Sequence, residues 1–177
     1  CLETPPAFKA EYNVYEQRLR LWLEEQKKLG TIDAVSVYFR DLDNGPWFGI
    51  DENDEYYPAS LLKVPMMIAL LKEAAAHPSI LSQEIVFSDQ LHTLQNVEDP
   101  ANRLVPGGSY TVQSLIERMI LESDNAAKDV LGEYLSYISG DHDRLAELFD
   151  ELGLLQLQNA PEASLSVKGY ASILRIL

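Results

Sequence analysis

Tyr57-Pro58-Ala59-Ser60-Leu61-Leu62-Lys63-Val64-Pro65-Met66-Met67, running on into Ile68-Ala69-Leu70-Leu71, is the stretch whose reading decides the fold. A serine stands where a helix is expected to begin, and a lysine follows one turn later. Residues three apart share a helix face, so Ser60 and Lys63 can point into one site. The start of a helix also offers unpaired N–H groups and a positive dipole to a developing oxyanion. That pattern suits a serine nucleophile whose base is a lysine. The plainer alternative is an N-capping serine beside a solvated lysine. Chance alone gives about one Ser-x-x-Lys in a chain of this length. The apolar setting of Lys63 separates the two readings, because a lysine there is costly without a partner.

The apolar segment after Ser60 predicts a buried central helix to about Ala76, bent slightly by Pro65, which is expected beyond the first turn. Upstream, Glu11 to Leu29 predicts a helix with Tyr12, Tyr15, Leu19, Trp22 and Leu23 on one core-facing stripe. Residues 34–42 read as a strand, Asp43-Asn44-Gly45-Pro46 as a turn and Trp47–Ile50 as the returning strand. Residues 79–109 look mostly irregular with a short helix or two, and Pro106-Gly107-Gly108 reads as a turn. Thr111 is expected to cap a helix over Val112–Leu121. A polar break at Glu122–Asn125 precedes a helix from about Ala126. Further helices are expected over Asp141–Leu152, with Leu145, Leu148, Phe149 and Leu152 inward, and over Val167–Leu177. The domain reading is a tail over 1–10, the first part of a sheet domain over 11–56 and a mainly helical domain over 57–177.

Composition narrows the function. The chain has 177 residues, 46% hydrophobic and 24% charged, which describes an ordinary globular protein. Its formal net charge of −14 repels phosphate backbones and anionic membranes, so nucleic acid is not an expected partner. The single cysteine, Cys1, allows no internal disulfide. A mature chain starting Cys1-Leu2-Glu3-Thr4-Pro5-Pro6 is what a processed bacterial lipoprotein would show, so a lipid anchor at Cys1 is one expectation. A chain boundary that happens to fall at a cysteine is the other. His77, His92 and His142 have no ligand-like spacing, so neither metal nor other cofactor is expected. The acidic run Asp51–Glu55 lacks the EF-hand pattern.

Ser123-Asp124-Asn125, between two predicted helices, is the second decisive motif. Paired with an upstream Ser-x-x-Lys it resembles the class A β-lactamases and penicillin-binding proteins. The order of helix, hairpin, apolar Ser-x-x-Lys helix, Gly-Gly turn and Ser-Asp-Asn loop is similar to the first two-thirds of that family, over about residues 11–177. The resemblance implies an α/β plus all-α architecture, the β-lactamase-like (D,D-peptidase) fold. Only the N-terminal helix and β-hairpin of the sheet domain and the helical domain would be present, with the later strands absent. It implies Ser60 as nucleophile, Lys63 as base or relay, Ser123 as bridge to the leaving nitrogen and Asn125 as a substrate-binding residue. The Ser60 N–H would form half of an oxyanion hole, and Asp124 would fix the loop.

Two departures qualify the match. No Lys-Thr-Gly follows Ser123, so the expectation is an N-terminal fragment or completion by a second chain or a missing C-terminal segment. The Glu-x-x-Leu-Asn of class A enzymes is also absent. Gln156-Leu157-Gln158-Asn159-Ala160-Pro161-Glu162 stands there, with Glu162 the nearby carboxylate. The implied function is a serine acyl-transfer hydrolase acting outside the cytoplasm on a β-lactam or a peptidoglycan stem peptide, with slow deacylation. A non-catalytic cell-envelope lipoprotein or cell-wall-binding module of the same fold is the alternative. A β-lactamase with its deacylating group elsewhere is a third reading.

Overall fold

The computed structural model describes residues 6–42, 45–88, 95–140, 143–151 and 164–174. The chain divides into two compact units, Cys1–Tyr57 with Asn159–Leu177, and Pro58–Gln158.

In the first unit, helix α1 (Pro6–Leu29) is already helical at Pro6, upstream of the expected Glu11. Strands β1 (Val37–Arg40) and β2 (Trp47–Ile50) form the expected antiparallel hairpin, with Val37 opposite Ile50 and Arg40 opposite Trp47. The inward stripe of α1 is narrower than its sequence pattern. Leu23 is buried and Tyr12 stacks on Phe39 at 5.3 Å, but Tyr15 and Trp22 lie more than half exposed. A two-stranded hairpin covers only one narrow line of a helix. Arg20 also donates to the Gly49 carbonyl at 2.7 Å, which ties α1 to β2.

Strand β3 (Glu55–Tyr56) pairs with β6 (Leu165–Ser166), and helix α6 (Val167–Ile173) follows, capped by Ser166. These pairings return residues 164–174 to the first unit. Sequence reading put these residues in the mainly helical domain over 57–177, whereas their contacts group them with the first unit. Pairs two residues long have no alternation to read, which is why β3 and β6 escape sequence analysis.

The second unit is built around α2 (Lys63–Ala76), which packs against α3 (Val112–Leu121), α4 (Asn125–Ser139) and α5 (Arg144–Glu151). Its core joins Ile68 and Leu70 of α2, Leu115 and Met119 of α3, Val130 and Leu131 of α4, and Leu148 and Phe149 of α5. Pro65 is the third residue of α2, not a residue beyond its first turn. Its missing donor therefore costs no helical hydrogen bond. Thr111 caps α3 as expected, accepting from the Ser114 N–H at 3.1 Å. Short strands β4 (Glu84–Val86) and β5 (Ser109–Thr111) pair within the segment expected to be irregular. Helix α5 starts at Arg144, where Asp143 accepts from the Leu145 and Ala146 N–H groups. Cys1, the Asp43-Asn44 turn residues, Leu152, Gly153 and the C-terminal Arg175-Ile176-Leu177 lie outside the described residues. Among the described residues, no helix is long and apolar enough to cross a membrane.

Leu70 is fully buried where α2 meets its neighbours. Leu70→Ala is expected to lower unfolding free energy by about 2–5 kcal/mol, read as an earlier midpoint in urea denaturation.

Candidate active site

Ser60 lies in a 3₁₀ turn, Ala59–Leu62, that leads directly into α2, so the regular helix begins at Lys63 rather than at the serine. Ala59 has φ 45°, a left-handed conformation that alanine adopts at a cost. The turn leaves the Ser60 side chain exposed, while Lys63 is buried at 4% exposure.

The turn between α3 and α4 supplies the other groups. Ser123 has φ 53°, again left-handed, and Asp124 is extended. Asp124 is completely buried and acts as the N-cap of α4. Its Oδ1 accepts from the Ala126 and Ala127 N–H groups at 2.9 and 3.2 Å. Its Oδ2 accepts two hydrogen bonds from the Arg118 guanidinium, both 3.2 Å. Asp124 thus fixes the turn, as its place in the motif implied.

These two segments meet at the Lys63 ammonium group. Nζ donates to Asn125 Oδ1 at 2.8 Å, to Ser123 Oγ at 2.9 Å and, more weakly, to Ser60 Oγ at 3.4 Å. It also donates to the Ser123 carbonyl oxygen. The Ser123 hydroxyl in turn donates to Ser60 Oγ at 3.1 Å. The structure therefore brings together Ser60, Lys63, Ser123 and Asn125, all four residues singled out from the sequence. Two of the acceptors around Nζ, the Ser123 carbonyl and Asn125 Oδ1, can only accept. They take two of the amine's N–H bonds and leave its remaining position facing two hydroxyls. Charged, the amine donates there; neutral, its lone pair can accept a hydroxyl proton. Burial pushes the Lys63 pKa below the ordinary lysine value, and the positive charge of Lys128 adds to the effect. Asp124 and Asp129 oppose it. Loss of solvation penalises the ammonium form, which favours an amine able to act as a base.

A family model described as the beta-lactamase enzyme family matches residues 17–175. The chain belongs to that family. Solved structures agree on the fold. A beta-lactamase from Xanthomonas campestris superposes with a TM-score of 0.70 at 21% identity, over 90% of this chain and 62% of that one. PBP-A, in a variant whose acyl-enzyme complex with penicillin G was solved, gives 0.62 at 20% identity, over 85% and 58%. A D-alanyl-D-alanine carboxypeptidase from Mycobacterium tuberculosis gives 0.55 at 22% identity, over 78% and 53%. The chain thus spans less than two-thirds of the length of these beta-lactamase-like structures. No curated protein matches.

Within this beta-lactamase-like frame, sequence reasoning missed two residues. Arg118, in the last turn of α3, holds Asp124. Asn96 contacts the turn backbone, accepting from the Asn125 N–H at 2.8 Å and donating to the Ser123 carbonyl at 2.9 Å. An arginine at a helix end and an asparagine in an irregular segment carry no pattern that marks them. Among the histidines, His77 is exposed at the C-terminal end of α2. His92, His142 and Glu162 lie outside the described residues.

Asp124→Ala removes four hydrogen bonds and leaves the Arg118 guanidinium without its carboxylate partner. It is expected to destabilise the fold by about 3–5 kcal/mol, measured by chemical denaturation.

Proposed function

We propose that this protein is a serine acyl-transfer hydrolase that works through an ester on Ser60. The observation that carries this reading is the buried Lys63 amine. Two obligate acceptors hold it, and its free position is turned toward the hydroxyls of Ser60 and Ser123. Ser60 Oγ attacks the carbonyl carbon of a β-lactam or a D-alanyl-D-alanine-type amide. Lys63 accepts the hydroxyl proton. Ser123 Oγ, in contact with both Lys63 and Ser60, relays a proton to the departing nitrogen as the C–N bond breaks and the Oγ–C bond remains. The Ser60 N–H supplies one oxyanion donor, and Asn125 binds the acyl-amide side of the substrate. The penicillin G complex of PBP-A and the carboxypeptidase named above support this substrate class.

The proposal concerns the whole protein, in which a further segment or chain supplies the cation for the substrate carboxylate and the second oxyanion donor. An extracytoplasmic location follows from peptidoglycan chemistry. Because the sequence lacks Glu-x-x-Leu-Asn, water is poorly activated for deacylation, so the acyl-enzyme is long-lived.

Exposure of the full-length protein to a fluorescent penicillin, followed by mass spectrometry, is expected to show one stable adduct on Ser60. Ser60→Ala should show none. A wild-type protein that stays unlabelled defeats the proposal, and rapid nitrocefin turnover defeats the slow-deacylation part.

The acylation rate should also depend on pH. Neutral Lys63 is the working base, so the rate rises with pH as the ammonium loses its proton. The midpoint should fall below the ordinary lysine value of 10.5, because burial and Lys128 lower it. Stopped-flow acylation across pH tests this, and a rate that falls over that range contradicts it.

A further inference from the structure

We propose that Asn96 is a positioning residue for the Ser60–Lys63–Ser123 relay, acting as a two-point clamp on the backbone either side of Asp124. This rests on the serine acyl-transfer reading of the site. The Asn96 side-chain amide donates through Nδ2 to the Ser123 carbonyl at 2.9 Å and accepts through Oδ1 from the Asn125 N–H at 2.8 Å. One partner can only accept and the other can only donate, so a single amide orientation satisfies both. The pair reads the backbone of an extended residue as a neighbouring strand would, and Asp124 is that residue, with φ −62° and ψ 118°.

The clamp takes one group that Asp124 leaves open and one that Lys63 shares. Asp124 already takes the Ala126 and Ala127 N–H groups, which leaves the Asn125 N–H at the start of α4 to Asn96. Lys63 and Asn96 share the Ser123 carbonyl, so the amide also sets where one of the amine's obligate acceptors stands. The same two residues whose backbones are clamped carry Ser123 Oγ and Asn125 Oδ1, both directed at Lys63 Nζ. Ser123 sits at φ 53°, a conformation that persists only where its surroundings over-determine it.

The segment that carries Asn96 is itself anchored. Val97 and Leu104 are buried, and Gln95 Nε2 donates to the Leu104 carbonyl at 3.0 Å. Arg103 Nε donates to the Val97 carbonyl at 3.0 Å. Arg118, which holds Asp124, also donates to the Asn102 carbonyl. Segment 95–104 is therefore stapled to the turn at two points, through Asn96 and through Arg118. Asn96 itself is exposed, so water can replace its hydrogen bonds and the fold tolerates their loss. Water cannot fix the direction of the Ser123 and Asn125 side chains, so the loss falls on the relay.

The test uses Asn96→Ala and the isosteric Asn96→Asp in the full-length protein. Asp keeps an acceptor for the Asn125 N–H but turns a carboxylate oxygen toward the Ser123 carbonyl. Melting midpoints should move by no more than about 5 °C, while penicillin acylation falls about 10- to 100-fold in both variants. The Lys63 titration is followed without any β-lactam, by NMR of lysine labelled at Cε. Its midpoint should move to lower pH in Asn96→Ala, which adds no charge and leaves the Ser123 carbonyl and Asn125 Oδ1 less firmly placed around the ammonium group. Wild-type acylation in both variants, an unmoved Lys63 midpoint in Asn96→Ala, or a larger loss of thermal stability with no selective loss of rate would overturn the clamp. If the wild-type protein takes no label, the acyl-transfer reading fails. The Lys63 titration then still decides the clamp, a shift supporting it and no shift refuting it.

Discussion

The second unit depends on a buried amine that must be surrounded by acceptors. An ammonium group taken out of water loses solvation that only nearby hydrogen-bond acceptors can replace. Lys63 finds them in one place, the turn between α3 and α4, which presents the Ser123 carbonyl, Ser123 Oγ and Asn125 Oδ1. This requirement pins the first turn of α2 to a segment sixty residues away in sequence. The packing of α2 against α3, α4 and α5 holds both ends of that link, with Leu70, Leu115, Met119 and Leu131 filling the space between the helices.

The site divides its backbone hydrogen bonding among side chains that each do something different. Asp124 caps α4 and neutralises Arg118 from a fully buried position. Asn96 reads the backbone on either side of it. Lys63 takes the remaining lone pairs. With these in place, two residues stay in left-handed conformations that cost about 1–3 kcal/mol each outside glycine. They are Ala59 and Ser123, one immediately before the exposed hydroxyl of Ser60 and the other bearing the second hydroxyl. Strain of this kind turns a side chain away from the direction regular helix geometry would give it.

The sequence marked Ser60, Lys63, Ser123 and Asn125 because each belongs to a short motif. A lysine in an apolar helix and a polar triplet between two helices are local features, and both survive into the structure unchanged. Arg118 and Asn96 are different. Asn96 acts on a turn reached only after the chain has folded back, and Arg118, six residues before Asp124, is a helix-end arginine whose partner no motif marks. Pro65 shows a subtler gap. Its apolar surroundings suggested a helix already under way at Ser60, but the 3₁₀ turn Ala59–Leu62 delays α2 until Lys63 and makes the proline harmless.

The sequence by itself determined the helical segments, the β1–β2 hairpin, the cap at Thr111 and the two motifs whose residues meet at Lys63. Each of these rests on periodicity, capping or spacing within a few residues, where local energetics decide. Tertiary structure decided the rest. It exposed Tyr15 and Trp22 because a two-stranded hairpin is too narrow to cover the whole stripe of α1. It created β3 and β6, whose two-residue strands exist only because distant backbone groups pair. It also chose Asn96 as a support for the turn, since hydrogen bonds across the fold depend on where atoms arrive in space and leave no period in the chain.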